Sequence, residues 1–271
     1  MKRIYNYIAF KFATYKIAYI FLIVLIYQFL IFVNLIFNPI DYNFYDIVIE
    51  NFGYLSLFFS INLFYLIIIY GLCERSAFYK CMYLKFRNRK QVYNINVLTI
   101  FSLSVCIVLL INLASVIECF GHVSFTNTWS AHFFYTMTGK INLLYSDENV
   151  KIITSRLSPL QYITYSNILN ILYLFFLGMI FLVSNIFIKK RAISFILIII
   201  INFSSMFLDS VNGIISKLTF TNNIFFITAD SAELLNNTFI ISRLSYWAIL
   251  IISIYFIGLI LAKKVDYRFG E

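Results

Sequence analysis

Cysteine and histidine are the residues of this chain that could act as nucleophiles, bases or metal ligands. Cys119 and His122 lie three residues apart beside Glu118, a grouping that could pair a thiol with a base. The cysteines, at positions 73, 81, 106 and 119, lack the short paired spacing of a structural zinc site. An isolated cluster of this kind more often consists of ordinary loop residues. We therefore predict a non-enzymatic chain with no catalytic residue, no metal and no cofactor.

The sequence also lacks the motif of a nucleotide-binding site. A phosphate-binding loop needs an earlier glycine and a Lys-Ser or Lys-Thr pair, so that backbone amides surround the phosphates. The only Gly-Lys pair, Gly139-Lys140, is followed by Ile141. We expect no ATPase activity from this polypeptide, and any work driven by ATP would need a separate subunit.

The composition indicates which class of protein, and which kind of structural element, this chain forms. Hydrophobic residues make up 62% of the 271 residues and charged residues only 12%, whereas about a quarter of a soluble domain is charged. So much apolar surface cannot be hidden inside one soluble globule. The sequence therefore predicts a polytopic membrane protein with a single transmembrane domain over residues 1–271.

Six apolar stretches approach the roughly 20 residues that a membrane-crossing helix needs. They are residues 17–37, 52–73, 97–116, 160–187, 192–208 and 244–262. None contains a charged side chain, which disfavours proton-driven transport because a proton relay needs an ionisable group within a span. Their polar residues are amides and hydroxyls, which we expect mainly to form hydrogen bonds between helices. These are Asn62, Asn112, Asn167, Asn170, Asn202, Ser204 and Ser205.

The connecting segments differ in charge. Most of the 21 basic residues lie before span one, between spans two and three, between four and five, and after six. By the positive-inside rule, these segments and both termini are cytoplasmic. The net charge of +9 is then a topological signal and an attraction for anionic lipid, and we predict no nucleic-acid partner.

The segments outside the spans also carry patterns. Ile4, Ile8, Phe12 and Tyr15 recur at helical spacing, which indicates an interfacial helix; a frayed basic tail is the alternative. Residues 38–51 form a short acidic outer loop, and residues 117–159 a long outer segment. Ser158-Pro159 is typical of the start of a helix. Residues 209–243 are expected to form two short re-entrant helices, one of them starting near Asp230.

This layout resembles that of the permease subunits of type-2 ATP-binding-cassette (ABC) exporters, over nearly the whole chain. Five segments carry the resemblance: the interfacial helix 4–15, the charged loop 75–90, the tight turn 189–191, the short helices in 209–243 and the basic tail 263–266. The long outer segment 117–159 departs from many members. Small permeases of this composition are similar to those that export bacteriocin-like peptides, or give immunity to them, in Gram-positive bacteria.

The resemblance implies a function and partners. The chain would form half of a translocation pathway in the bacterial cell membrane for an amphiphilic substrate, which we expect to be a peptide. A second permease subunit, identical or related, and separate ABC ATPase subunits, two in all, would complete the transporter, surrounded by membrane lipid. The charged loop would couple the chain to the ATPase through Arg75, Phe78, Lys80, Met82, Lys85 and Arg87.

Two other functions remain open at this point. One is a membrane accessory, sensor or immunity protein that acts by binding and has no ATPase partner. The other is a membrane enzyme that uses the region of Cys119 and His122. Co-purification of an ATPase subunit would distinguish the first alternative, and alanine substitutions at the two residues would distinguish the second.

Overall fold

The computed structural model describes residues 2–13, 15–37, 40–73, 86, 88–120, 123–137, 146–188, 190–208 and 214–264. All regular elements in these ranges are helices, and no strand is present among them. The long helices are α2 (Tyr15–Ile36), α5 (Arg89–Cys119), α8 (Pro159–Ile188), α9 (Arg191–Leu208) and α13 (Phe239–Lys264). The shorter helices are α1 (Lys2–Phe12), α3 (Phe44–Asn51), α4 (Asn62–Leu72), α6 (Ala131–Thr136), α7 (Asp147–Arg156), α10 (Ile214–Lys217), α11 (Phe220–Ile224) and α12 (Ser231–Leu234).

The long helices confirm the all-α prediction and support five or six of the apolar spans. The five helices α2, α5, α8, α9 and α13 are long and apolar enough to cross a membrane. A sixth span results if α3 and the segment Ser56–Leu72 are counted as one bent span. The predicted span 160–187 differs from α8 by one residue at each end, whereas α5 and α13 extend several residues beyond their predicted spans.

The second span is the least regular. A π-helical turn, Ser56–Ile61, runs directly into α4, and this segment is bent by 52° relative to α3. The helix α3 lies within residues 38–51, which we expected to be only a short outer loop. Its start is capped: Asn43 Oδ1 accepts from the backbone N of Asp46 at 3.2 Å, and Asp46 Oδ2 accepts from Asn43 N at 2.7 Å.

The core of the bundle surrounds α8, against which α5, α9 and α13 pack. Gly178 of α8 allows the close approach, because a Cβ atom there would lie 2.5 Å from Tyr65 Oη and 2.9 Å from Ile69 Cδ1. The Tyr65 hydroxyl in turn hydrogen-bonds Ser104 of α5 at 2.8 Å. Small residues and buried hydroxyls therefore fix α4, α5 and α8 against one another, a mode of packing that is common between membrane helices.

The short elements partly follow the sequence patterns. Ser158 N donates to Gln161 Oε1 at 3.0 Å at the start of α8, and Asp230 Oδ1 accepts from Ala232 N at 3.4 Å at the start of α12. Both predicted helix starts are confirmed. Between α9 and α13 the described residues, 214–238, form three short helices rather than the two that we expected. The side of the membrane on which each segment lies remains a prediction.

Candidate functional site

Most of the loop predicted to couple this chain to an ATPase, residues 75–85 and 87, falls in a part of the chain that the structure does not describe. Its residues Arg75, Phe78, Lys80, Met82, Lys85 and Arg87 all lie outside the described residues. The two flanks of the loop are described, and both contact the N-terminal helix α1. These contacts define the geometry of the site, which we call the basic end: residues 2–13, 72–73, 86, 88–96, 190–191 and 263–264.

The first flank is the end of α4. Lys11 Nζ donates a hydrogen bond to the backbone carbonyl of Leu72, the last residue of α4. Lys11 is only 1% exposed, and burial lowers the pKa of its ammonium group to about 8. A lysine at this position satisfies a carbonyl that the helix itself leaves without a partner and opposes the negative end of the helix dipole.

The second flank is the start of α5. Tyr7, one turn before Lys11 on α1, donates its hydroxyl to Asn96 Oδ1 at 2.9 Å. Its ring also packs edge-on against Phe86, with the ring centroids 5.7 Å apart. Val92 and Ile95 complete a small apolar cluster around Tyr7. One face of α1 therefore contacts the residues on either side of the undescribed loop.

The basic end also includes the last turn of α13. Arg89 Nη1 donates to the backbone carbonyl of Lys263 at 2.9 Å, and Tyr93 donates to the carbonyl of Tyr255 at 3.2 Å. The side chains of Arg89 and Lys90 are exposed. The end of the bundle therefore combines rigid helix contacts with an exposed positive charge, an arrangement that can receive an acidic partner surface or lipid headgroups.

The candidate enzyme residues are not brought together in the described part of the chain. Cys119 is fully buried in an apolar cluster with Phe32, Leu35 and Ile47, while His122 lies outside the described residues. Within those residues, no group of three or more His, Cys, Asp or Glu side chains could hold a metal ion. Cys119 therefore packs as a small apolar side chain.

The predicted interhelical amides form hydrogen bonds in most cases. Asn112 of α5 and Asn167 of α8 exchange two hydrogen bonds, at 3.3 and 3.1 Å, and Asn202 accepts one from Tyr173. Ser205 Oγ accepts from Phe220 N at 2.6 Å. Asn170 differs: it is fully buried, and neither its oxygen nor its nitrogen has a partner in the described residues.

Four stretches pack together at the opposite end of the bundle, and we call them the cap: residues 40–44, 123–137, 146–157 and 214–235. They are joined by hydrogen bonds from Asn43 Nδ2 to Thr128 O (2.8 Å), Trp129 Nε1 to Leu157 O (3.0 Å) and Asn149 Nδ2 to Ala229 O (2.7 Å). His132 lies in the cap, 2% exposed, with its Nε2 atom 3.6 Å from Glu50 Oε1. The segments that sequence analysis treated as separate outer loops thus form one packed unit.

Arg243 and Trp247 hold the cap to α13. They are one turn apart on that helix, and both are buried. Arg243 donates to the backbone carbonyls of Asn222 and Phe225, and Trp247 Nε1 donates to the carbonyl of Asn223 at 3.0 Å. These carbonyls lie at the end of α11, where a cation is electrostatically favoured.

Sequence reasoning did not predict that the side chains of Lys11, His132 and Arg243 are buried. It counted Lys11 and Arg243 only as charges that report topology, because a single sequence gives no measure of burial. The four-residue spacing of Tyr7 and Lys11 was the one available signal, since it places both on one helix face. Comparisons with protein-family models, curated proteins and solved structures find no match to this chain.

Proposed function

We propose that this chain is the membrane-spanning permease subunit of an ABC transporter, forming half of the pathway for an amphiphilic substrate, a peptide. The observation that supports this proposal best is the contact of α1 with both flanks of the charged loop. An ATPase that moves such a loop must transmit the movement through rigid elements. Here α1 is bonded to the end of α4 and to the start of α5, so the three helices can move together.

The proposal requires partners of defined kinds. A second permease subunit, identical or related, would enclose the pathway, and two ATPase subunits would dock at the basic end. The amphipathic loop 75–90 would place Phe78 and Met82 in an apolar groove of the ATPase, and its charges would set orientation and association rate. The transporter would reside in a bacterial cell membrane, with both termini in the cytoplasm.

The decisive experiment replaces the apolar pair of the loop. Phe78 and Met82 are four residues apart, so on a helix they project from one side. We expect the double variant Phe78→Asp/Met82→Asp to reach the membrane at normal levels but to lose its ATPase partner on purification. Removing buried apolar anchors from an interface costs on the order of 2 kcal/mol or more. The matched control is Lys80→Glu, whose effect should be smaller and should decrease as salt increases.

If the Phe78/Met82 variant keeps its ATPase partner and its transport activity, the loop is only a solvated, positively charged segment. If the unaltered chain, isolated from its native membrane, carries no ATPase at all, the alternative becomes the better explanation. That alternative is an accessory, sensor or immunity protein that acts by binding.

A further inference from the structure

A groove of about 300 Å³ opens at the edge of the cap, between the last turns of α7 and the first turn of α13. Its walls are apolar and come from Ile152, Ile153, Leu157, Leu234, Phe239 and Ile240. Ile153 and Leu234 are buried beneath it, while the other four remain partly exposed. The groove therefore leaves apolar surface available to an occupant, and its volume is at the lower end of pockets that hold small ligands.

One cation lies in this groove. Arg156 Nη1 donates to the backbone carbonyl of Leu234 at 2.9 Å, a bond that orients the guanidinium and uses one of its five N–H donors. No carboxylate of the described residues lies within 4.0 Å of Arg156. Lys217, elsewhere in the cap, instead pairs with Glu233 at 3.1 Å. The groove thus holds a positive charge that has no counter-ion among the described residues.

The mouth of the groove adds neutral polar groups. Asn236 and Asn237 line it, and both are exposed. Asn236 Oδ1 already accepts from Thr238 N at 3.1 Å and from Thr238 Oγ1 at 3.0 Å, so the NH₂ group of its amide is the part left for a ligand. None of the described residues that line the groove is acidic. Apolar walls, a guanidinium and amide donors together match an apolar group that ends in an anion.

We propose that this groove binds the C-terminal residue of a peptide, with an apolar side chain against the walls and the free carboxylate on Arg156. An arginine can bind a carboxylate through two parallel N–H···O bonds, which gives both energy and orientation. The volume suits one terminal residue rather than the two acyl chains of a phospholipid. This proposal names the substrate chemistry of the proposed transporter and therefore rests on that function.

The test measures peptide binding to the full-length chain in nanodiscs of neutral phosphatidylcholine, without an ATPase. The probe is a fluorescein-labelled peptide that ends in Ile-Phe with a free carboxylate, compared with the same peptide as its C-terminal amide. We expect saturable binding by fluorescence anisotropy, with the Kd of the amide about 10-fold or more higher, since the charge-assisted bonds are lost. Arg156→Gln should weaken binding of the acid by a similar factor.

Matched controls separate binding from folding. Lys151→Gln removes an exposed positive charge from the same helix α7, outside the groove, and should leave the Kd unchanged. Ile240→Ser should weaken both the acid and the amide, because it removes apolar wall. The temperature of each binding measurement is chosen so that all variants are compared at equal thermal stability.

Three results would overturn the proposal. The first is equal affinity for the peptide acid and the peptide amide. The second is an equal effect of Lys151→Gln and Arg156→Gln on the Kd. The third is displacement of the peptide by phosphatidylglycerol nanodiscs, if this displacement requires Arg156. The last would assign the groove to a lipid headgroup. Because no ATPase is present, none of these results bears on whether the Phe78/Met82 variant loses its partner.

Discussion

Lys11 shows how one buried residue can make a helix contact depend on pH. In a detached α1 its ammonium group would have its ordinary pKa of 10.5, whereas in the docked helix burial lowers the pKa to about 8. Between these two values the docked form holds fewer protons than the detached form. Docking is therefore strengthened as pH rises from about 8 to about 10.5, by up to about 1.4 kcal/mol per pH unit.

Distances between spin labels at Ala9→Cys on α1 and Lys90→Cys on α5 measure this docking, since both sites are exposed. The experiment uses a chain whose four native cysteines are replaced. The docked fraction should grow between pH 8 and pH 10, and Lys11→Met should remove this dependence. A docked fraction that decreases with rising pH in the lysine form would contradict the assignment.

Lys11 also shows which properties of a residue can be predicted from a single sequence and which cannot. The pattern Ile4, Ile8, Phe12 and Tyr15 predicted a helix because helical periodicity is a local property, but α1 ends at Phe12 and Tyr15 begins α2. Burial of Lys11 depends on the carbonyl of Leu72, which is 61 residues away. Buried and solvated lysines look alike in a sequence, and only the fold brings that partner close.

At the scale of elements, α5 and α13 pack so closely that one glycine is required. A Cβ atom at Gly258 would lie 2.5 Å from Tyr93 Cζ and 2.8 Å from Cε2, well below any real contact distance. Gly258→Ala should therefore displace the Tyr93 ring, break its bond to the carbonyl of Tyr255, and reduce the free energy of unfolding by about 1–3 kcal/mol.

Gly71 of α4 provides the matched control, because nothing lies within 4 Å of a Cβ atom there. Gly71→Ala should leave stability unchanged or raise it by about 0.5–1 kcal/mol, since alanine favours a helix. Unfolding in mixed micelles, followed by circular dichroism, measures both variants. Equal effects of the two substitutions would refute the close contact.

The elements differ in how far the sequence predicted them. Span 160–187 matched α8 closely because a long apolar run has one plausible structure in lipid. The eight-residue helix α3 was missed, although Asn43 and Asp46 have the spacing of a capping box. A segment this short is not stable alone, and packing against α5 determines that it is helical.

At the scale of the whole molecule, the charge pattern predicts that the basic end faces the cytoplasm and the cap faces outward. A membrane-impermeant thiol reagent added to intact cells should label Lys151→Cys in the cap and leave Lys85→Cys unlabelled. The Lys85 variant should be labelled after the cells are lysed, which confirms that the thiol is reactive. Labelling of Lys85→Cys in intact cells would reverse the orientation.

The contacts of α1 have a further consequence for the time course of biosynthesis. Leu72 and Asn96, which Lys11 and Tyr7 bind, leave the ribosome 61 and 89 residues after their partners. At roughly 5–20 residues per second, α1 is translated on the order of 10 s before its binding surface exists. During this interval the nascent chain must keep an aromatic and basic helix from binding elsewhere. The N-terminal helix α1 can therefore complete its contacts only after α5, the third predicted span, has been translated. A nascent chain released before that point would expose α1 to quality-control proteases.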